Sequence, residues 1–288
     1  MLRSMLQVGE TRPSTSTIMA ATTTTNSGRD TMVGGKEENH MNEMRHGEGG
    51  GQDVVAHGAL GGLAISMAGH TMEVGSKTLG AGREETFEFR ILDRVGRIVR
   101  DFDEQHGERM HLIVVRRDLV HYQHLHPSLG ADGTWSVPLA LPEPGVYRAF
   151  ADFSAGGEAL TLGADLAVPG TFEFAPLPDP TGVAHTEDYE VTLEAGIPTA
   201  GTEGCLAFRI TSSGWEVEQL APYLGALGHL VALREGDLAF LHVHPTGGVG
   251  ARLTFHAAFP SMGRYRLFLQ FAHEGQVRTV SFTVEVTP

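Results

Sequence analysis

The stretch His229-Leu230-Val231-Ala232-Leu233-Arg234-Glu235-Gly236-Asp237-Leu238-Ala239-Phe240-Leu241-His242-Val243-His244-Pro245 decides how the rest of this chain reads. Two apolar runs flank Glu235-Gly236, and glycine supplies the positive φ that a tight hairpin turn requires. A turn centred there sets His229 opposite His242. Strand alternation then returns His244 to the same face, so three imidazoles gather at one end of the hairpin. Pro245 ends the ladder, because proline has no amide proton to donate. His111, His124, His126 and Pro127 repeat the pattern 118 residues earlier (229 − 111 = 118). There a turn at Arg117-Asp118 sets His111 opposite His124. The rest of that face is Ile113, Val115, Val120 and Tyr122 in one copy, and Val231, Leu233, Leu238 and Phe240 in the other. These read as core residues, which places the histidines at the rim of a sandwich.

The repeat extends outward at the same offset. Gly145-Val146-Tyr147-Arg148-Ala149-Phe150 matches Gly263-Arg264-Tyr265-Arg266-Leu267-Phe268, and Phe153 matches Phe271. A constant offset over this span implies duplication of one fold. Strand-like segments fall at Leu63–Met67, Thr86–Ile91, His111–Val115, Leu119–His124, Trp135–Leu139, Val146–Phe153 and Leu160–Val168. The second series runs Tyr189–Leu193, Cys205–Thr211, Leu230–Leu233, Leu238–His242, Leu253–Phe259, Tyr265–Phe271 and Val277–Val286. Such spacing, with turns such as Glu143-Pro144-Gly145, predicts an all-β protein of two tandem antiparallel β-sandwich domains, immunoglobulin/cupredoxin-like in type. The expected organisation is a disordered N-terminal tail over 1–58, a first sandwich over 59–172, a Pro-rich linker over 173–186 and a second sandwich over 187–288.

The net charge of −14 argues against nucleic acid as a partner, since a phosphate backbone needs a basic surface. Cys205 is the single cysteine, so no intramolecular disulfide can form; its strand-like setting predicts a buried, inert thiol. No apolar run approaches the ~18 residues of a membrane span, and Met1 to Val8 is too short and polar for a signal peptide's apolar region.

Three neutral imidazoles on neighbouring strands can bind Zn²⁺ or Cu²⁺ with an open fourth position. The expectation is a divalent metal ion as partner, copper first and zinc as the alternative, held by His111, His124 and His126 in one domain and His229, His242 and His244 in the other. The metal-free alternative is a structural or protein-interaction module whose rim histidines hydrogen-bond loop carbonyls, with its protein partner unknown. His106 is a candidate fourth ligand; Leu224 at the matching position would make the two sites unequal. Met110, next to His111, alternates to the opposite face. His121 reads as a solvent-side residue, and His70, His185, His256 and His273 as ordinary surface. In the tail, His40-Met41, Met44, His46 and His57 form a sparse His/Met mixture of a kind that can capture copper, but so few and loosely spaced ligands read as an inert linker. No nucleophile elbow, P-loop or dinucleotide fingerprint is present, and the glutamate that follows the H-x-H dyad of cupins is missing, so an enzyme is not expected. A metal-dependent enzyme would have only Glu104 or Glu108 as a local base.

Met110 through Leu119 with His124-Leu125-His126-Pro127, and Tyr223 through His229 with His242-Val243-His244-Pro245, resemble a known group over about residues 60 to 286. It is the actinobacterial envelope proteins with tandem sandwich domains, often described as YtkA-like or heavy-metal-associated. The resemblance implies an extracytoplasmic, envelope location and metal handling or resistance. Members typically begin with a membrane anchor or signal followed by a His-rich linker; here the linker is recognisable and the anchor is not.

Overall fold

The computed structural model describes residues 60–288 apart from His244, with the backbone alone at His242 and Val249. The tail expected over 1–58 lies outside the described residues. The first copy consists of β1 (Ser66–Met67), β2 (His70–Val74), β3 (Glu84–Leu92), β4 (His111–Arg116), β5 (Gln123–Leu125), β6 (Ser128–Leu129), β7 (Trp135–Ala140), β8 (Gly145–Ala155) and β9 (Glu158–Val168). The second consists of β10 (Val183–Thr186), β11 (Tyr189–Leu193), β12 (Glu203–Ser212), β13 (Trp215–Glu216), β14 (Gly228–Arg234), β15 (Phe240–Val243), β16 (Pro245–Val249), β17 (Arg252–Ala258), β18 (Gly263–His273) and β19 (Gln276–Val286). The fold is all-β, and no helix of the described residues is long and apolar enough to cross a membrane.

Each copy is a sandwich of two antiparallel sheets in matching order. In the first, β1-β2-β3-β7-β6 faces β5-β4-β8-β9; in the second, β10-β11-β12-β17-β16, with β13 on β12, faces β15-β14-β18-β19. Period-2 strands supply each interior. Phe87, Phe89, Trp135, Leu112, Val114 and Tyr147 close the first, and Phe208, Phe255, Leu230, Ala232, Tyr265 and Phe282 the second. Both carry an immunoglobulin-type tyrosine corner: Tyr147 Oη donates to the Glu143 carbonyl at 2.9 Å and Tyr265 Oη to the Ser261 carbonyl at 3.0 Å. β10 takes in the end of the segment expected as linker and pairs with β11.

A third core lies between the copies, built from Ile113, Val115, Leu119, Phe150, Leu177, Val231, Leu233, Leu238, Phe240 and Phe268, with Tyr122 packed against it. The face that carries the histidines is therefore not a sandwich interior, as alternation alone suggested. It is the outer face of each four-stranded sheet, covered by the other copy. Every residue of β4 is buried for this reason, and a strand covered on both faces reads as a continuous apolar run. The interface is reciprocal. Phe150 meets Phe240 at 5.1 Å between ring centroids, and Tyr122 stacks on Phe268 at 4.1 Å. Phe268 occupies the position of Phe150 one repeat later, and Phe240 that of Tyr122, so one contact is made twice with the copies exchanged. That is the signature of a local twofold axis.

The hairpins differ from the expected register. Ile113, not His111, pairs with His124, and Val231, not His229, pairs with His242. The turn at Arg117-Asp118 closes, with Leu119 N donating to the Arg116 carbonyl at 2.8 Å, but Arg116 N then bonds the Val120 carbonyl, so the loop runs one residue longer. In the second copy Leu238 N bonds the Arg234 carbonyl across three residues. Arg116 folds onto Asp118 through two bonds of 2.8 and 2.9 Å with both side chains buried, and Leu119 takes a left-handed φ of 65°. Arg234 and Asp237 make the same closure before Leu238 at φ 64°. The connection lengthens, and the first hairpin's return strand shrinks from the expected Leu119–His124 to Gln123–Leu125. The slip is two residues, an even number, so the histidines keep their common face. Pro127 and Pro245 do more than end a strand: each stands where the chain crosses to the opposite sheet, and Pro245 opens β16 against Phe255. Cys205 is exposed rather than buried, because it points away from the core side of β12 while Leu206 and Phe208 point in.

Phe268→Ala empties the centre of the interface and is expected to cost about 3–5 kcal/mol of stability in denaturant unfolding. A variant that unfolds within about 1 kcal/mol of the parent would mean the two sandwiches do not hold this face together in solution.

Candidate metal centre between the two sandwiches

His111 is the first residue of β4 and turns to the same outer face as Ile113 and Val115. His124 lies at the middle of β5, and His126 follows the strand just before Pro127. The three imidazoles come together at one end of the interface. Ring centroids are 5.3 Å apart for His111 and His124, 5.1 Å for His111 and His126, and 4.8 Å for His124 and His126. One ring nitrogen from each lies within 4.8 Å of the others.

Hydrogen bonds fix the tautomers. His111 Nε2 is 3.1 Å from the Gln105 carbonyl, which can only accept, so this nitrogen carries a proton. Gln270 of the second copy donates through Nε2 to Thr279 Oγ1 at 3.1 Å and presents its Oε1 to His124 Nδ1 at 2.7 Å, so that nitrogen is protonated as well. In neutral imidazoles both protons are then directed outward. His111 Nδ1 and His124 Nε2 lie 3.0 Å apart, a spacing that a shared proton or a metal ion bridges. A peptide carbonyl and an amide oxygen as outer partners of ligand imidazoles are the usual means of orienting a metal set.

His126 completes the cluster. Its Nε2 is buried with no hydrogen-bond partner. Burial pushes its pKa down to about 4, with His229 adding like-charge repulsion, so the ring is neutral at physiological pH. Bonds of ~2.0–2.1 Å to a tetrahedral ion imply nitrogens ~3.3 Å apart. The His111–His124 pair is already near that spacing, and the ligand nitrogens of all three lie within 4.8 Å of one another.

The second copy contributes to the same place. His229 is 1% exposed, donates from Nε2 to the Tyr223 carbonyl at 2.9 Å, as His111 does to Gln105, and stands 5.9 Å from His124 between ring centroids. His229 of the second repeat thus stands at the same junction as the first triad. The side chain of His242 and the whole of His244 fall outside the described residues. His106, expected near the first triad, approaches the second copy instead, 6.3 Å from His229 between centroids. His121 is half-buried in the hairpin connection at φ 56° and pairs with Glu143 at 3.1 Å. Met110 fills the first sandwich core. His185 and His256 are exposed as expected. His70 packs edge-on to Phe153, and His273 Nδ1 meets Tyr189 Oη at 2.7 Å, so neither is ordinary surface. Sequence reasoning missed Gln105, Tyr223 and Gln270. Of these, only Gln270 carried a signal: a lone amide in the apolar run Leu267-Phe268-Leu269-Gln270-Phe271.

Two tandem immunoglobulin-like sandwiches joined face to face, with a histidine cluster at the junction, define the class of protein. The chain belongs to the family whose model is described as a domain of unknown function (DUF8832), matched once over residues 65–170 and again over 184–288. No curated protein matches the sequence. Similar solved structures include FdeC, a broadly conserved Escherichia coli adhesin, at 15% identity, covering 78% of this chain and 66% of that one with a TM-score of 0.27. Domains 4 and 5 of the S-layer protein SbsC match at 10% identity, 78% and 100% coverage and a TM-score of 0.23. Invasin, a bacterial integrin-binding protein, matches at 12% identity, 74% and 39% coverage and a TM-score of 0.22. At these identities and scores the likenesses say nothing about function.

The burial of His126 sets a pH dependence for the metal-free protein. Its folded pKa of about 4 lies below the unfolded value of about 6.5, so between these the unfolded chain binds the extra proton. The stabilising contribution is complete above pH ~6.5 and is lost as the pH falls towards ~4. Denaturant unfolding at pH 7, 5.5 and 4.5 with a chelator present is expected to show this decline, and His126→Gln to flatten part of it. An unaltered slope in the variant would remove His126 as its source.

Proposed function

We propose that this chain is a non-enzymatic metal-handling protein whose interfacial histidine cluster binds a divalent transition metal, copper(II) in preference to zinc(II). The observation that carries the reading is the 3.0 Å approach of His111 Nδ1 to His124 Nε2, with the buried Nε2 of His126 in the same cluster. An all-imidazole set without a thiolate suits Cu(II) and Zn(II) rather than Cu(I), and at equal geometry copper binds more tightly. His111, His124 and His126 would hold the ion, with His229 next to them; His242 and His244 are the repeat's counterparts. The resemblance to tandem-sandwich envelope proteins supports an extracytoplasmic setting and a role in metal handling or resistance.

A second reading has its own support. A shared proton between His111 and His124 also satisfies a 3.0 Å contact, and buried Asp152, directly across the ladder from His111, would balance the resulting charge. The protein would then be a metal-free structural or interaction module in which the histidines lock the sandwiches together.

Titration of the full chain with Cu²⁺ and with Zn²⁺, followed by desalting and elemental analysis, separates the two. The metal reading expects retained copper, a rise in stability of about 2.7 kcal/mol at a hundredfold excess over Kd, and loss of both in the His111→Ala, His124→Ala, His126→Ala triple variant. Binding unchanged after replacement of all six histidines overturns it, and absence of retained metal in the parent leaves the metal-free module.

A further inference from the structure

The two copies differ sharply at one duplicated arginine. In the first copy Arg148 is fully compensated: Nη1 donates to Asp165 at 2.9 Å, Nε and Nη2 to the Gly62 carbonyl at 2.9 and 2.6 Å, and Nη2 also to the Leu63 carbonyl at 2.8 Å. The segment around Gly62 lies across the edge of the interface, with Gly62 N donating to the Thr161 carbonyl and Phe240 N to the Gly61 carbonyl. Gly163 makes room for it, since a Cβ there would stand 2.0 Å from the Gly62 oxygen.

In the second copy every part of that arrangement except the cation has changed. Arg266 stands where Arg148 does, but Thr283 replaces Asp165 and Ser281 replaces Gly163. Arg266 Nη1 reaches Thr283 Oγ1 at 2.9 Å and Nη2 reaches Ser281 Oγ at 2.5 Å, both neutral hydroxyls, and no carboxylate among the described residues pairs with it. Its Nε is buried without a partner, as is the hydroxyl of Tyr122 nearby. Burial with no acid beside it pushes the Arg266 guanidinium down, whereas the hydrogen bonds that Arg116 and Arg234 donate to Asp118 and Asp237 hold those two up. Where the first copy has the Gly62 segment, the second has a cavity of about 310 Å³, lined by Arg266, Tyr122, His121, Phe268, Thr279 and Ser281.

We propose that this cavity is a binding site for a small carboxylate, which supplies the negative acceptor that Asp165 provides to Arg148. The walls are rich in donors and carry an uncompensated cation, the combination that selects an oxyanion. Arginine presents a planar donor fork matched to a carboxylate. A main-chain segment cannot follow the path taken in the first copy, because the Ser281 side chain occupies the position of the Gly62 oxygen; a two-oxygen acceptor is small enough. The volume lies at the lower end of small-ligand pockets. The site is distinct from the histidine cluster and holds whether or not that cluster takes a metal.

The test is an amide and arginine side-chain NMR titration of the full chain with sodium acetate, against sodium chloride at matched ionic strength and in the presence of a chelator. Saturable shifts at Arg266 Nε, Thr279 and Ser281, with a Kd of about 10 mM or tighter, are expected from acetate and not from chloride. Thr283→Asp rebuilds the intramolecular pair of the first copy, so it should fold with at least the parent's stability and weaken the acetate response about tenfold or more. Arg266→Gln should abolish the response. Acetate shifts that do not saturate, or that survive intact in a folded Thr283→Asp protein, overturn the proposal, and saturation by inorganic phosphate but not acetate overturns the carboxylate assignment.

Discussion

The structure depends on one reciprocal burial. Each sandwich closes its own interior, but the outer face of its four-stranded sheet remains apolar, with Ile113, Val115 and Phe150 on one copy and Val231, Leu233 and Phe268 on the other. Such a patch is unstable in water and is removed by laying the two faces together. At ~1.5–3 kcal/mol per fully buried large side chain, the ten residues of this interface contribute on the scale of a whole domain's net stability. Because the faces are copies, the arrangement that buries them is twofold-like, and matching positions meet across the axis. Gly107 lies against Leu224, and Gly225 against His106, by the same rule.

This symmetry explains why His229 stands beside the first triad. A polar group at the end of a face that meets its own copy must meet the copy's polar group as well. His124 of the first sandwich therefore has His229 nearby, and its outer nitrogen is held by Gln270 of the second. Neither copy completes the arrangement alone. The ring protons of His111 and His124 are fixed by two acceptors, a loop carbonyl in one copy and a strand side-chain amide oxygen in the other, so docking and preparation of the site are one event.

The sequence discloses the duplication, the all-β class and the common face of the histidines, because offset and parity are properties of spacing alone. It does not disclose the partner of that face. Ile113 and Val115 look like interior residues whether the apolar layer above them is the other sheet of the same sandwich or the second copy. The register was hidden for a related reason. Arg117-Asp118 does turn, but Leu119 adds a residue after it, and the second loop takes three residues, Glu235 to Asp237; the ion pairs Arg116–Asp118 and Arg234–Asp237 brace these longer connections. The slip of two residues kept the face and changed every directly opposed pair. Cys205 shows the limit of composition, since strand alternation outranks the general tendency of thiols to be buried.

The repeats also diverge where the interface is polar. Position by position, Gln105, His106 and Asp152 become Tyr223, Leu224 and Gln270, while the tyrosine corner is retained. Asp165 and Gly163 become Thr283 and Ser281 around an arginine that is kept. If the second arginine served only packing, a neutral side chain would fill its place without the cost of partly burying a charge that has no carboxylate partner. Instead the charge persists while the charged acceptor beside it is replaced by neutral hydroxyls and open volume. A structural duplication would retain the whole ion pair or lose it whole. Retaining one half, beside a cavity, is the pattern expected when an acceptor from outside the chain completes the pair.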